Sequence, residues 1–201
     1  MRLLVDTDAF CKLAAVGLLE EAAKLLGGTL SEVERLAALP HMLRGSKKLR
    51  KHLGDALADE LVPIAMERVA ASAPPTDTAT LLVGVENIDV GEVELFASAA
   101  SADALLVSGD KRALNAVARV VHVVPRLSGK IVCLEAMLFA LCDSVGVEQL
   151  RSRVSSRAYL DKVFQICFSP GSAPKECLGS YLRDLQSKVV PLVLWSPPGG
   201  T

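Results

Sequence analysis

Residues 88–114, IDVGEVELFASAASADALLVSGDKRAL, predict a loop, a helix, a strand, a turn and a second helix in succession. The apolar run at 104–107 has the length and composition of a buried parallel strand. The tripeptide SGD at 108–110 ends this strand, and a helix follows at once. Because ligands bind beyond the carboxyl ends of the strands in an open parallel sheet, Asp110 is a candidate metal ligand.

The amino terminus repeats this order of strand, acid and helix. The apolar run LLV at 3–5 leads directly into Asp6 and Asp8, and a helix is predicted over 11–26, with Asp8 placed to cap it. Glu92 lies in the first turn of the helix before the 104–107 strand. Carboxylates that converge repel one another, so such a cluster is tolerated mainly around a hard cation.

Three segments resemble the motifs of PIN-domain nucleases and occur in that family's order: VDTDAF at 5–10, DVGEVELFASAA at 89–100 and LLVSGDKRAL at 105–114. The resemblance covers roughly residues 1–140. It implies an α/β fold, a three-layer α/β/α sandwich with a central parallel sheet, in a PIN-like nuclease domain at 1–145. We expect residues 146–201 to form a helical carboxyl-terminal extension.

The resemblance also implies a metal-dependent endoribonuclease that hydrolyses RNA phosphodiester bonds with Mg²⁺ or Mn²⁺. Its catalytic and metal-binding residues would be Asp6, Glu92 and Asp110, with Asp8 or Glu135 completing the ligand set. Thr7 and Ser108 would orient water or ligands. Two cations ~3.5–4 Å apart, or a single one, would activate water and stabilise the leaving oxygen.

The chain departs from the family in the helix after the second strand, where the family often supplies another acid. The segment LPHMLRG at 39–45 has no carboxylate, and Glu34 nearby has the spacing of a capping box with Ser31. The missing acid favours a second hypothesis, a PIN-like module that does not cut and serves as a binding scaffold or as the partner of an antitoxin-type protein.

Each acid also has an ordinary structural interpretation. Asp6 and Asp110 each precede a helix as a cap does, and Asp89 and Glu92 have the spacing of a capping box. Glu135 can be a favourable acid in the first turn of a helix.

A third hypothesis is a phosphatase of the haloacid-dehalogenase type, because VDTDAF also resembles that family's Asp-x-Asp motif. Asp6 would then be the nucleophile and Asp8 the acid and base. Two features oppose this hypothesis: Ala9 and Phe10 stand where that family has Gly-Thr, and GDKRALNAVAR lacks its second late Asp.

Basic residues concentrate in RGSKKLRKH at 44–52 and beside Asp110. They are either a solvated helix face or a phosphate-binding patch. The predicted nucleic-acid-binding residues are Lys47, Lys48, Arg50, Lys51, Lys111 and Arg112.

Composition restricts the class of protein. The 201 residues are 51% hydrophobic, which supports a substantial core, but only 4% aromatic, so base-stacking platforms are not expected. Lysine and arginine number 22 against 23 acidic residues, so RNA binding requires a local basic patch. The sequence shows no signal peptide and no apolar run of membrane-spanning length. We therefore expect a soluble cytoplasmic protein, with RNA as partner and a homodimer as an option.

Five cysteines are dispersed without CxxC spacing and are predicted to be reduced. Further predicted elements are a second strand within 35–43, strands at 120–124 and 131–134, and helices within 150–166 and at 174–189.

Overall fold

A central sheet of five parallel strands organises the chain. The structure, a computed structural model, describes residues 2–71 and 76–197. The strands are β1 (Arg2–Val5), β2 (Val33–Arg35), β3 (Val69–Ala70), β4 (Ala104–Ser108) and β5 (Ile131–Cys133). Their order across the sheet is β3-β2-β1-β4-β5. Val5 of β1 is level with Val107 of β4 and with Arg35 of β2, so these three strands end together at one edge.

Helices connect the strands and cover the sheet. In chain order they are α1 (Thr7–Ala15), α2 (Leu19–Leu25), α3 (Leu39–Gly45), α4 (Lys47–Leu53), α5 (Asp55–Met66), α6 (Thr76–Leu82), α7 (Val90–Ser101), α8 (Lys111–Val117), α9 (Val124–Leu127), α10 (Leu134–Ser144), α11 (Val147–Ser155), α12 (Lys162–Cys167) and α13 (Pro174–Lys188). Short 3₁₀ helices occupy Leu30–Glu32 and Ala158–Leu160. Within the described ranges, every helix is too short or too polar to span a bilayer.

The sheet carries a hydrophobic core on each face. Side chains alternate along a strand, so Leu3 and Val5 enter one core and Leu4 enters the other. Residues of α1, α2, α5 and α10 complete the first core, and residues of α7, α8 and α9 complete the second. The predicted α/β class with a parallel sheet between helices is therefore confirmed.

The segment after residue 146 is helical and packs on the rest of the chain. Leu150 and Phe164 are buried in the first core. Arg153 pairs with Glu21 of α2 at 2.6 Å. The division into a nuclease-like domain and an extension stays a prediction, and residues 198–201 of the predicted extension lie outside the described residues.

Several predicted elements are wrong in extent or type. The helix over 11–26 is two helices, because Gly17 adopts a φ of +64° that ends α1. The strand predicted within 35–43 instead lies at Val33–Arg35, which overlaps the predicted range only at Arg35, and α3 takes most of that range. The run at 120–124 is a turn leading into α9, since Pro125 lacks the N–H that a sheet requires and suits a first helical turn. The helix within 150–166 is interrupted by the 3₁₀ turn at Ala158–Leu160.

The capping box predicted for Ser31 and Glu34 is also wrong. Thr29 and Glu32 form the box instead, with the Glu32 carboxylate accepting from the Thr29 N–H at 2.7 Å. Glu34 lies in β2 and forms a bidentate pair with Arg2, at 2.7 and 2.6 Å. Glu34 is therefore engaged away from the acids at the strand ends.

The cysteines are not all reduced, contrary to the prediction. Cys167 and Cys177 form a disulfide that joins α12 to α13, with their Cα atoms 5.4 Å apart. The turn between the two helices brings these cysteines together, and the sequence gives no spacing signal for it. Cys11, Cys133 and Cys142 are free and buried.

Candidate active site

A cavity of about 690 Å³ lies at the carboxyl edge of the sheet, beside the ends of β1, β2 and β4. Four predicted acids from three separate segments of the chain line it: Asp6, Asp8, Glu92 and Asp110. Aliphatic side chains form much of the remaining wall, among them Leu36, Met42 and Leu49. The structure thus brings the proposed catalytic acids to one concave surface.

Asp6 is the most buried of these acids, with 7% of its surface exposed. It caps α1, with Oδ1 accepting from the Ala9 N–H at 2.6 Å, and its Oδ2 accepts from the Gly109 N–H at 3.1 Å. Burial raises the pKa of Asp6 to about 6 and the charge of Asp8 adds to this, although hydrogen bonds from Ser108, Ala9 and Gly109 oppose the shift. The charged form of Asp6 therefore carries a free-energy cost in the metal-free protein.

Asp8 does not cap the helix as predicted, because Asp6 does. Its carboxylate lies 2.5 Å from the ammonium of Lys12, one helical turn along α1. The same ammonium lies 2.5 Å from Asp161, just before α12. A Cβ atom added at Gly109 would lie 3.0 Å from Oδ2 of Asp8, so a glycine leaves room for this carboxylate.

Glu92 takes part in a capping box at the start of α7. Its Oε2 accepts from the Asp89 N–H at 2.7 Å, and its own N–H donates to Oδ1 of Asp89 at 2.9 Å. Burial, followed by the charges of Asp89, Asp110 and Asp6, raises the pKa of Glu92 to about 7, although the hydrogen bond from Asp89 opposes it. Glu92 therefore both caps its helix through hydrogen bonds and is influenced by the charges of the neighbouring acids.

Asp110 caps α8. Its Oδ1 accepts from the N–H groups of Arg112 and Ala113 at 2.8 and 3.1 Å, and its Oδ2 pairs with the Arg112 guanidinium at 3.2 Å. Burial raises the pKa of Asp110, but the hydrogen bonds from Ala113 and Arg112 outweigh it, so the pKa lies below its ordinary value.

Glu135 lies outside this cavity. It follows β5, the edge strand, and lines a second cavity of about 260 Å³ together with Lys111, Asp161 and Tyr181. Its carboxylate is buried and pairs with Lys111 at 2.7 Å, while the Lys111 ammonium lies 5.1 Å from the centre of the Tyr181 ring. The structure therefore does not bring Glu135 together with Asp6, Glu92 and Asp110.

The predicted basic residues come from two parts of the chain, the 44–52 run and the pair beside Asp110, and they differ in their contacts. Lys48 lines the acidic cavity, whereas Lys47 and Lys51 are exposed and do not line it. The Arg50 guanidinium pairs with Asp55 and Asp59 of α5, each at 2.8 Å. Lys111 and Arg112 pair with Glu135 and Asp110.

Two titratable residues on the cavity wall, Glu94 and His52, were given no role in the sequence-based prediction. Glu94 lies in the first half of α7, and burial raises its pKa. His52 lies one turn after Lys48 on α4. The helical spacing of Lys48 and His52 is a sequence signal that identifies them as neighbours on one face.

The hydroxyl groups near Asp6 differ in their partners. Ser108 is buried and its side chain hydrogen-bonds Asp6. The Thr7 Oγ1 is shut off from solvent and has no hydrogen-bond partner among residues 2–71 and 76–197. A buried hydroxyl without a partner costs roughly 1–3 kcal/mol, which makes Thr7 a candidate for binding a group that enters the cavity.

The acids do not form a preassembled metal cage. In the described part of the chain, no three His, Cys, Asp or Glu side chains are arranged to hold a metal ion. Asp6, Glu92 and Asp110 each direct a carboxylate oxygen to a backbone N–H at the start of a helix.

Comparison of the chain with protein-family models, with curated proteins and with solved structures finds no match. The functional proposal therefore depends on the geometry of this cavity and on the motifs in the sequence.

Proposed function

We propose that this protein is a PIN-like, metal-dependent endoribonuclease that hydrolyses RNA phosphodiester bonds at Asp6, Glu92 and Asp110. The observation that carries the proposal is the convergence of these three acids on one cavity, where the charges of Asp110 and Asp6 help to raise the pKa of Glu92. Such a concentration of negative charge is relieved by a divalent cation.

The side chains on the cavity wall are of the chemical type that binds Mg²⁺ or Mn²⁺, although binding requires some of them to move from their helix-capping positions. The four predicted acids on the wall, Asp6, Asp8, Glu92 and Asp110, offer carboxylate oxygens, the ligands that hard divalent cations prefer. Thr7 also lines this wall, and its unpaired hydroxyl, which is closed to solvent, would have to rotate to serve as a further oxygen donor. When bound, the cation would activate water and stabilise the leaving oxygen.

Direct ligation by Glu92 requires a rearrangement of its side chain. Its Oε2 now accepts the Asp89 N–H, whereas the Asp89 side chain independently caps the same helix. The Glu92 carboxylate can therefore turn into the cavity at the cost of one exposed hydrogen bond, about 1 kcal/mol. Asp6 and Asp110 each have two carboxylate oxygens, each with more than one lone pair, so a cap and a cation can share one carboxylate.

The same contacts support a second candidate, a PIN-like module that binds RNA or a protein without cutting. The capping contacts of Glu92 and Asp110 and the absence of a carboxylate from residues 39–45 favour it. The phosphatase alternative would require Asp8 as the acid and base, and Asp8 is tied to Lys12.

An RNA cleavage assay distinguishes these functions. A fluorescently labelled RNA is incubated with the wild type, Asp110→Asn, Glu92→Gln and Glu94→Gln, with Mn²⁺ or with EDTA. We expect Mn²⁺-dependent cleavage by the wild type and a loss of about 100-fold or more in the first two variants, because a catalytic cation contributes several kcal/mol.

Glu94→Gln is the matched control, because it removes a charge from the same cavity wall without removing a proposed ligand, and it should retain far more cleavage than Asp110→Asn or Glu92→Gln. RNA binding without cleavage would favour the non-cutting module. Hydrolysis of p-nitrophenyl phosphate without RNA cleavage would favour the phosphatase.

A further inference from the structure

The charge of Lys12 is shared between two carboxylates that lie on different parts of the chain. Its ammonium is 2.5 Å from Asp8, which lines the acidic cavity, and 2.5 Å from Asp161, which lines the second cavity. Only 9% of the Lys12 side chain and 17% of the Asp161 side chain are exposed. The pair of Lys12 with Asp161 is therefore largely closed to solvent, whereas the Asp8 side chain is 43% exposed.

Lys12 carries a positive charge in this position. Burial alone lowers the pKa of a lysine, yet the charges of Asp8 and Asp161 and their hydrogen bonds raise the pKa of Lys12 above its ordinary value. A protonated amine here offsets part of the negative charge of Asp8.

Asp161 is held in place by contacts of its own. Its Oδ1 accepts from the Val163 N–H at 2.6 Å and caps α12, which leaves Oδ2 for Lys12. Phe164, in the following turn, is buried in the first core. The carboxyl-terminal segment thus fixes the carboxylate on one side of Lys12, and the acidic cavity contains the carboxylate on the other.

We infer that Lys12 is a built-in counter-cation of the acidic cavity, and that Asp161 sets how much of its charge acts on Asp8. Asp161 is then a positioning residue that acts through Lys12, and it raises the affinity of the cavity for a divalent cation. The inference rests on the proposed function, because it concerns the cation that the cavity is proposed to bind.

Mn²⁺ binding measured by calorimetry on the full chain at low salt tests the inference. Asp161→Asn keeps the helix cap, since asparagine caps as well as aspartate does, but releases Lys12 to act fully on Asp8. Its Mn²⁺ affinity should fall about threefold or more. Lys12→Met should shift the affinity in the opposite direction, about tenfold tighter, as expected for a unit charge removed ~6 Å from a divalent cation in water.

Opposite shifts distinguish charge tuning from a structural role, because a merely structural role would weaken binding in both variants. Both shifts should also shrink as salt is added. Asp143→Asn is the matched control, since Asp143 forms an exposed pair with Lys175 at 2.7 Å and lines neither cavity, and it should bind Mn²⁺ as the wild type does. If Lys12→Met does not fold, Asp161→Asn and its salt dependence decide the outcome.

Three results would overturn the inference in distinguishable ways. The first is a wild type that binds Mn²⁺ and cuts RNA while the Mn²⁺ affinities of Lys12→Met and Asp161→Asn change in the same direction or not at all. That result would remove only the role of Lys12 and Asp161. Equal shifts in Asp161→Asn and Asp143→Asn would do the same. A wild type that binds no Mn²⁺ would remove both the inference and the proposed function.

Discussion

Replacing Asp6 by asparagine should remove the contribution of Asp6 to the pH dependence of the unfolding free energy of the metal-free protein. The pKa of Asp6 rises from 3.8 to about 6 on folding. The folded protein therefore keeps a proton that the unfolded chain releases between about pH 4 and pH 6, and stability falls as pH rises through that window. At 1.36 kcal/mol for each pKa unit, the loss is about 3 kcal/mol.

Asparagine separates this charge effect from capping. Its side-chain oxygen can still accept the Ala9 N–H, so α1 keeps its cap. The Gly109 N–H loses its acceptor, which costs about 1 kcal/mol at every pH. Asp6→Asn should therefore be less stable than the wild type near pH 4 and about 2 kcal/mol more stable near pH 7.

Urea unfolding of both proteins in EDTA, at several pH values between about 4 and 7.5, measures this difference. The gap between the two unfolding free energies should change by about 3 kcal/mol, which corresponds to roughly 6–12 °C in thermal midpoint for a chain of this size. Asp184→Asn, at an exposed position, is the control and should follow the wild type. Parallel pH profiles for Asp6→Asn and the wild type would refute the assignment of a buried, costly charge to Asp6.

Two further predictions concern RNA contacts and the disulfide. Lys48→Ala should lower the slope of log RNA affinity against log salt by about 0.7, which is the value for one single-strand phosphate contact. Lys47→Ala should keep the wild-type slope, because Lys47 does not line the cavity. Equal slopes for the two variants in filter-binding titrations would contradict this prediction. Cys167→Ser should lower the unfolding free energy by about 3 kcal/mol in non-reducing buffer, because the disulfide closes the loop between Cys167 and Cys177, which are separated by 10 positions in the sequence. The unfolding free energy of the wild type in reducing buffer should match that of the variant.

The convergence of Asp6 and Asp110 could be predicted from the sequence. Asp6 directly follows one short apolar strand, Asp110 follows another after a single glycine, and parallel strands end at a common edge. The order of the strands could not be predicted from the residues alone. It places β5 beyond β4, so Glu135 lies two strands from β1 and joins the second cavity.

Contacts between distant parts of the chain also could not be predicted from the sequence. The spacing of Asp8 and Lys12 on one helix indicates that they pair, but Asp161 is 149 residues from Lys12 and no local pattern indicates that contact. Arg50 belongs to the basic run, but its pairs with Asp55 and Asp59 depend on how α5 folds back on α4. Short-range patterns set helix faces and strand ends, whereas these ion pairs depend on how complete elements pack.

The most direct measurement compares thermal unfolding of the wild type and Asp110→Asn, with and without Mn²⁺ at neutral pH. Asparagine can still cap α8 but loses the charge that pairs with the exposed Arg112 guanidinium, so the variant without metal should be less stable than the wild type by about 1 kcal/mol or less. Mn²⁺ at about 100 times its dissociation constant should stabilise the wild type by about 2.7 kcal/mol, or roughly 5–10 °C, and should stabilise the variant little. An equal response to Mn²⁺ in both proteins would remove Asp110 from the site and contradict the proposed nuclease.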